Sequence, residues 1–279
     1  MRRYKIKVKK SKVDVLLLNL LGMIVDCGYA YHNKAINEVF ASKGLKLKNR
    51  LIIDTCGLPV YWQIVKILSN KKIESEWLKI NKSKPDENIY RELNEAVYSK
   101  ILENINKKEY VMTEFRDHIN KLYKKGYKII LTTVYNAQIA EVLEKILKDN
   151  KFNFHKIYTC SDFNAPYPHP LLCYKVAIDF NIFPTERFVR IGDTKYHNVE
   201  SIYAGAWAVN VLSTGVYSGI DKIKLKKKGA FKSDKKIKNI SKSLKRSGAH
   251  YTIFTLDEIK WVIDDINYRL SHKDLPNCL

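Results

Sequence analysis

The 279-residue chain has no Cys-x-x-Cys pair, and its five cysteines (Cys27, Cys56, Cys160, Cys173 and Cys278) have no histidine nearby at zinc-ligand spacing. That excludes a structural zinc site and a disulfide framework, so the thiols read as small buried apolar groups in a reducing compartment. It also lacks a long apolar run. The longest, residues 15–25, is broken by Asn19 and Gly22 and falls short of the roughly 20 residues that span a bilayer. No membrane partner is expected. The basic start runs into that stretch without a small-residue cleavage site, which disfavours secretion, and no internal repeat is present.

Acids are the other shortage, and it is local. Residues 1–13 hold Arg2, Arg3, Lys5, Lys7, Lys9, Lys10 and Lys12 with no acid. Residues 222–246 hold Lys222, Lys224, Lys226, Lys227, Lys228, Lys232, Lys235, Lys236, Lys238, Lys242, Lys245 and Arg246 against the single Asp234. Of the formal net charge of +21, these blocks carry +7 and +11, leaving +3 for the rest. A compositional drift toward lysine would spread over every exposed face. Clustering of this kind is the footprint of a polyanion, and these residues are the expected nucleic-acid contacts.

With 46% hydrophobic residues the chain can bury a large core. Continuous apolar runs at 13–21, 127–133, 188–193 and 206–212 read as strands buried on both faces. Amphipathic stretches at 113–125, 136–148, 171–180 and 198–204 read as helices between them. Alternation predicts an α/β fold, a Rossmann-like parallel sheet with helices on both faces. One segment interrupts it: from 29 to 108 helical periodicity dominates, clearest at 58–68 and 89–105, as expected of an inserted helical cap. The domains expected are thus a basic arm (1–12), a core (13–28 and 109–279) and a cap (29–108). The stretch 222–246 reads as a solvated loop or a frayed helix outside the core. Thr255-Leu-Asp-Glu258 is a capping box opening a last helix.

Catalytic groups of open α/β sheets sit where strands end. Here those ends carry Asn19, Thr133 and Gly192-Asp193-Thr194. A strand ending in Gly-Asp-Thr, a Thr at another strand end and a helical insert after the first strand resemble the haloacid dehalogenase superfamily. Val25-Asp26-Cys27-Gly28, Pro168-His-Pro-Leu-Leu-Cys-Tyr-Lys175, Ile191-Gly-Asp-Thr194, Ala204-Gly-Ala-Trp207 and Gly248-Ala-His-Tyr251 are similar, in order and spacing, to the phosphonoacetaldehyde hydrolases within it.

That resemblance implies an Asp nucleophile that also ligates magnesium at the first strand end, where this chain has Asn19. It implies a small residue at Leu21, a phosphoryl-binding Thr matched by Thr133, and a cation at the position of Tyr167. It further implies two acids, of which Asp193 remains while the second falls at His197, and a Schiff-base lysine at Val60. Lys66 is the nearest lid lysine on the C-terminal side of Val60, nearly two helical turns on. An amide is a poor nucleophile, and one carboxylate is a poor magnesium site. Asp193, Thr133 and Gly22 also have a structural reading as turn and strand-end residues, and His197 one as a polar surface residue at a helix start. Tyr61, Trp62, Trp207 and Trp261 read as packing groups.

The expectation is therefore a catalytically inactive scaffold with no cofactor and no catalytic residue. It would contact structured RNA, ribosomal RNA above all, beside neighbouring ribosomal proteins in a ribonucleoprotein such as the mitochondrial ribosome. A small-molecule substrate is not expected, and the acid-free start is compatible with the mitochondrial matrix, the cytoplasm being the alternative. The competing expectation is a working magnesium-dependent hydrolase of phosphonoacetaldehyde or a phosphate ester with altered residues. A third is an anion sensor.

Overall fold

The computed structural model describes residues 12–159, 168–218 and 235–276. Its centre is β1 (Val15–Asn19), buried along its whole length. Leu16 and Leu18 face one apolar layer, while Val15 and Leu17 face the other, so an unbroken apolar run is what the position demands. Around it lie β2 (Lys128–Thr133), β3 (Lys156–Thr159), β4 (Phe188–Gly192), β5 (Trp207–Val211) and β6 (Tyr251–Ile253). They form a parallel sheet in the order β3-β2-β1-β4-β5-β6, with Leu18 opposite Leu131 and Ile191. The connection reverses direction at β1. Ligands of open parallel sheets bind beyond the strand ends at such a switch point.

The helices between β1 and β2 are α1 (Ala30–Ser42), α2 (Asn49–Ile53), α3 (Val60–Leu68), α4 (Lys71–Asn81) and α5 (Glu87–Ile105). Val39, Ile64, Leu93 and Val97 join the apolar layer that also covers β1, β2 and β4. α6 (Arg116–Lys124), α7 (Ala137–Asp149) and the last helix flank the same face, and α8 (Leu171–Phe180) packs on the other. α9 (Lys195–Tyr203) follows β4. The last helix, α11 (Ile259–Ser271), follows a capping box at Thr255, as the sequence predicts.

Four differences from the sequence expectation have local causes. β3 and β6 are four and three residues long, too short to show an apolar run. The sequence likewise gives no separate signal for α1, α2 and α4 within the helical insert. From Lys235 onward the basic stretch, expected as a solvated loop or a frayed helix outside the core, is a helix that packs on the body: α10 (Lys235–Arg246), whose Ile237 and Leu244 pack with Leu212 and Ala249. Trp62 and Trp261 are 45% and 49% exposed rather than packed, although Trp207 is buried as expected. The residues 1–11 and 222–232, with their arginines and lysines, lie outside the described residues, as does Tyr167.

At the sheet's centre, Arg190 and Glu200 form an ion pair at 3.0 Å, both essentially inaccessible, and Arg190 also donates to Thr132 Oγ1 at 2.8 Å. Asp26 sits at the opposite extreme of the charge problem. Burial pushes its carboxyl up to about 6, against the lowering effect of the Tyr31, His32 and Ala30 backbone N–H groups. Burial also pushes His32 down to about 4; its ring nitrogens meet Tyr135 Oη and Gln63 Oε1, each at 3.1 Å. The two act oppositely on acidification. The folded state holds a proton on Asp26 that the unfolded chain has released, and lacks one on His32 that the unfolded chain holds. Between about pH 4 and about pH 6, Asp26→Asn therefore steepens the acid loss of stability by up to about 1.4 kcal/mol per pH unit, measured by urea titration across that window. An unchanged slope contradicts the buried-carboxyl assignment.

Candidate active site

The strand ends bring Asn19, Thr133 and Asp193 together, each about 2% exposed or less. Asn19 Nδ2 donates to the Leu21 carbonyl at 2.7 Å and to Tyr29 Oη at 3.0 Å. Tyr29 Oη in turn donates to Asp193 Oδ1 at 3.2 Å, and Asp193 Oδ2 accepts from Val216 N–H at 2.7 Å. Thr133 Oγ1 accepts from Tyr135 N–H at 3.2 Å. Gly22, at φ +73°, lets the turn after β1 approach so closely that a Cβ there would lie 2.9 Å from Asp193 Oδ2. Hydrogen bonds of this kind give Thr133 and Asp193 structural work in this closed arrangement, beyond any chemistry.

Sequence reasoning missed Tyr29. It follows Val25-Asp26-Cys27-Gly28 directly, in a left-handed conformation (φ 57°) that a bulky residue rarely adopts. That conformation places its phenol between Asn19 and Asp193. Burial and the neighbouring Asp193 charge push the phenol well above its ordinary value, so it stays a proton donor.

His197 is a correction to the surface reading: it is 1% exposed, 3.4 Å from Asp193 Oδ1 through Nδ1, and 3.2 Å from Thr194 Oγ1. Burial holds its imidazole down, with the Arg190 charge, against the raising effect of Asp193. The ring is neutral at pH 7, and its Nε2 has no hydrogen-bond partner among the described residues. Leu21 and Val60 are fully buried packing residues, and Val60 opens α3. Lys66, nearly two turns on in α3, crosses to the core, where its Nζ donates to Tyr196 Oη at 2.8 Å.

The insert is closed on the core. Gly57, at φ +95°, presses against Thr194 so tightly that a Cβ would lie 2.4 Å from Thr194 Oγ1. Gly57→Ala combines a left-handed strain with that clash, and is expected to cost about 1–3 kcal/mol in denaturant melts. A loss below about 0.5 kcal/mol would mean that this contact is not tight.

Magnesium, which the resemblance implies, does not fit this donor set. One carboxylate faces the position, and both of its oxygens are engaged by Tyr29 and Val216. Among the described residues no group of three or more His, Cys, Asp or Glu is arranged to hold a metal ion.

Residues 26–211, more than half the chain, match the family model of the haloacid dehalogenase-like hydrolases. A phosphonoacetaldehyde hydrolase of Bacillus cereus is 23% identical over 255 residues, covering 91% of this chain and 97% of that protein. One from Bacillus cytotoxicus aligns with the same identity and coverage. The crystal structure of a phosphonoacetaldehyde hydrolase-like protein from Oleispira antarctica superposes with a TM-score of 0.88 at 22% identity, covering 96% of this chain and 97% of that one. A predicted phosphoglycolate phosphatase from Haemophilus somnus does so with a TM-score of 0.67 at 12% identity, covering 91% and 99%.

These matches correct two expectations. The chain is not to be read as a non-enzyme, because the family model and the curated relatives are hydrolases. The expectation of no cofactor falls with it, because the resemblance to that family carries magnesium with it. The poor fit of the donor set is a property of these residues in this closed arrangement.

Proposed function

The chain belongs to the haloacid dehalogenase-like hydrolases, and on that premise we propose that it hydrolyses a small phosphate monoester by direct attack of water on phosphorus. The observation that carries the reading is Asn19, an amide fixed by two hydrogen bonds at the strand end facing Asp193. A neutral amide does not form a phosphoryl-enzyme, so the attacking oxygen comes from water. Asp193, the carboxylate at the site, takes the water's proton, with His197 Nδ1 at 3.4 Å from its Oδ1. The Thr133 hydroxyl donates to a phosphoryl oxygen, and Tyr29, which keeps its proton, is displaced from both Asp193 and Asn19 when substrate enters, freeing one Asn19 N–H for a second phosphoryl oxygen. Water's oxygen bonds to phosphorus, the P–O bond to the alcohol breaks, the alcohol oxygen takes a proton from solvent, and Asp193 returns to solvent the proton it accepted from the attacking water. The insert opens to admit substrate, because every one of these groups is buried while Gly57 rests on Thr194.

The relatives' name favours phosphonoacetaldehyde as substrate. Cleaving a carbon–phosphorus bond needs an electron sink such as an imine, and the position of the imine-forming lysine holds the buried Val60. That chemistry favours the ester. The test is release of phosphate from a panel of monoesters, and of acetaldehyde from phosphonoacetaldehyde, by unmutated protein with magnesium and with chelator. Ester turnover supports the proposal. Turnover of phosphonoacetaldehyde alone, or of neither, overturns it.

A further inference from the structure

We infer that α10 binds the phosphate backbone of structured RNA, an activity separate from the hydrolytic site. Lys235, Lys238, Lys242 and Lys245 recur at intervals of three and four residues, which places them on one face of the helix, with Arg246 beside them. All five are exposed. Ile237 and Leu244, on the opposite face, are buried against Leu212 and Ala249 and fix the helix to the body. Ser241 Oγ is 2.7 Å from Thr252 Oγ1 on β6, and Asn198 of α9 donates to the Leu244 carbonyl and to Ser247 Oγ. The cationic face is thus held rigidly, not on a tether.

Other helices of this protein pair their cations internally. Lys34 meets Glu38, Arg50 meets Asp54, Lys72 meets Glu76, Arg91 meets Glu87, and Lys148 meets Glu144, each one turn apart. α10 holds no acid within its span, so its field is not cancelled along its own length. Such a row extends about 15 Å, comparable to a stretch of duplex carrying several phosphates.

The chemistry of this face selects among polyanions. An amphipathic membrane helix inserts apolar groups beside its lysines, whereas here the apolar face is spent on the sheet edge and the exposed positions are Lys, Arg, Asn239 and Ser243. Asn239 and Ser243 can each donate and accept, which suits the 2′-hydroxyls of an RNA minor groove next to its phosphates. No exposed aromatic lies on the helix to stack single bases.

The test uses the full chain and a short RNA duplex, with binding read by fluorescence anisotropy as salt rises. The triple variant Lys238→Gln, Lys242→Gln, Lys245→Gln touches only exposed side chains, and an unchanged melting temperature verifies its fold. Removing three phosphate contacts is expected to reduce the slope of log affinity against log salt by about 2.7. An unchanged slope, or no salt-dependent binding by the unmutated chain, overturns the inference. A DNA duplex of the same sequence or poly-glutamate bound as tightly as the RNA overturns the choice of RNA. Loss of phosphatase activity bears on the catalytic proposal alone, because no α10 residue touches that site.

Discussion

Asn19→Asp is expected to destabilise the protein by about 3 kcal/mol or more at pH 8 in the absence of divalent metal. The substitution exchanges the amide that donates to Leu21 O and Tyr29 Oη for a carboxylate facing those oxygens, beside Asp193. Burial and a like charge both raise the pKa of such a group. The folded state then keeps a proton that the unfolded chain releases near pH 4, so the new group's contribution is lost as pH rises and the penalty is smaller at pH 5 than at pH 8. Urea denaturation at the two pH values measures it. A second carboxylate at this point also gives magnesium a better donor pair, so the ion stabilises the variant more than the parent, by RT ln(1 + [L]/Kd). Equal stability of parent and variant at pH 8 would contradict the hydrogen-bonded placement of Asn19.

Glu200→Gln is expected to cost about 3–5 kcal/mol, a large loss for one substitution. Arg190 lies in the central sheet with its guanidinium against Glu200 and Thr132, and water cannot reach it to replace the lost anion. The double variant Arg190→Met, Glu200→Leu removes both charges and recovers most of that loss, because the desolvation penalty disappears with the pair. Denaturant midpoints of the three proteins, compared as a cycle, check this. A double variant no more stable than Glu200→Gln would show that packing, not the loss of the Arg190–Glu200 pair, sets the cost.

The parallel sheet was legible wherever a strand had to be apolar on both faces, as at Val15–Asn19 and Phe188–Gly192. It was not legible at the edges, where Lys156–Thr159 and Tyr251–Ile253 are short and partly exposed. Helix α10 was obscured by composition: in a lysine-rich stretch, Ile237 and Leu244 are the few letters that report a buried face, and their seven-residue spacing is the signal that finds it. Of the site, Asn19, Thr133 and Asp193 could be placed together because strand ends of a parallel sheet converge. Tyr29 could not, because its phenol reaches Asp193 through a left-handed backbone that no periodicity encodes. The burial of His197 was hidden for a similar reason: it depends on Gly192, whose missing side chain leaves the space the ring fills. The departures at Asn19, Leu21, Val60 and His197 do not by themselves make an inactive protein, because the family to which the chain belongs is one of hydrolases.

Attack on phosphorus by water, and not by the side chain at position 19, is read out by the stereochemistry of transfer from a phosphate monoester made chiral at phosphorus with oxygen isotopes. One in-line displacement by water inverts the configuration, and that is the result the unmutated protein is expected to give. Retention of configuration, the outcome of two successive displacements through a phosphoryl-enzyme, would contradict it.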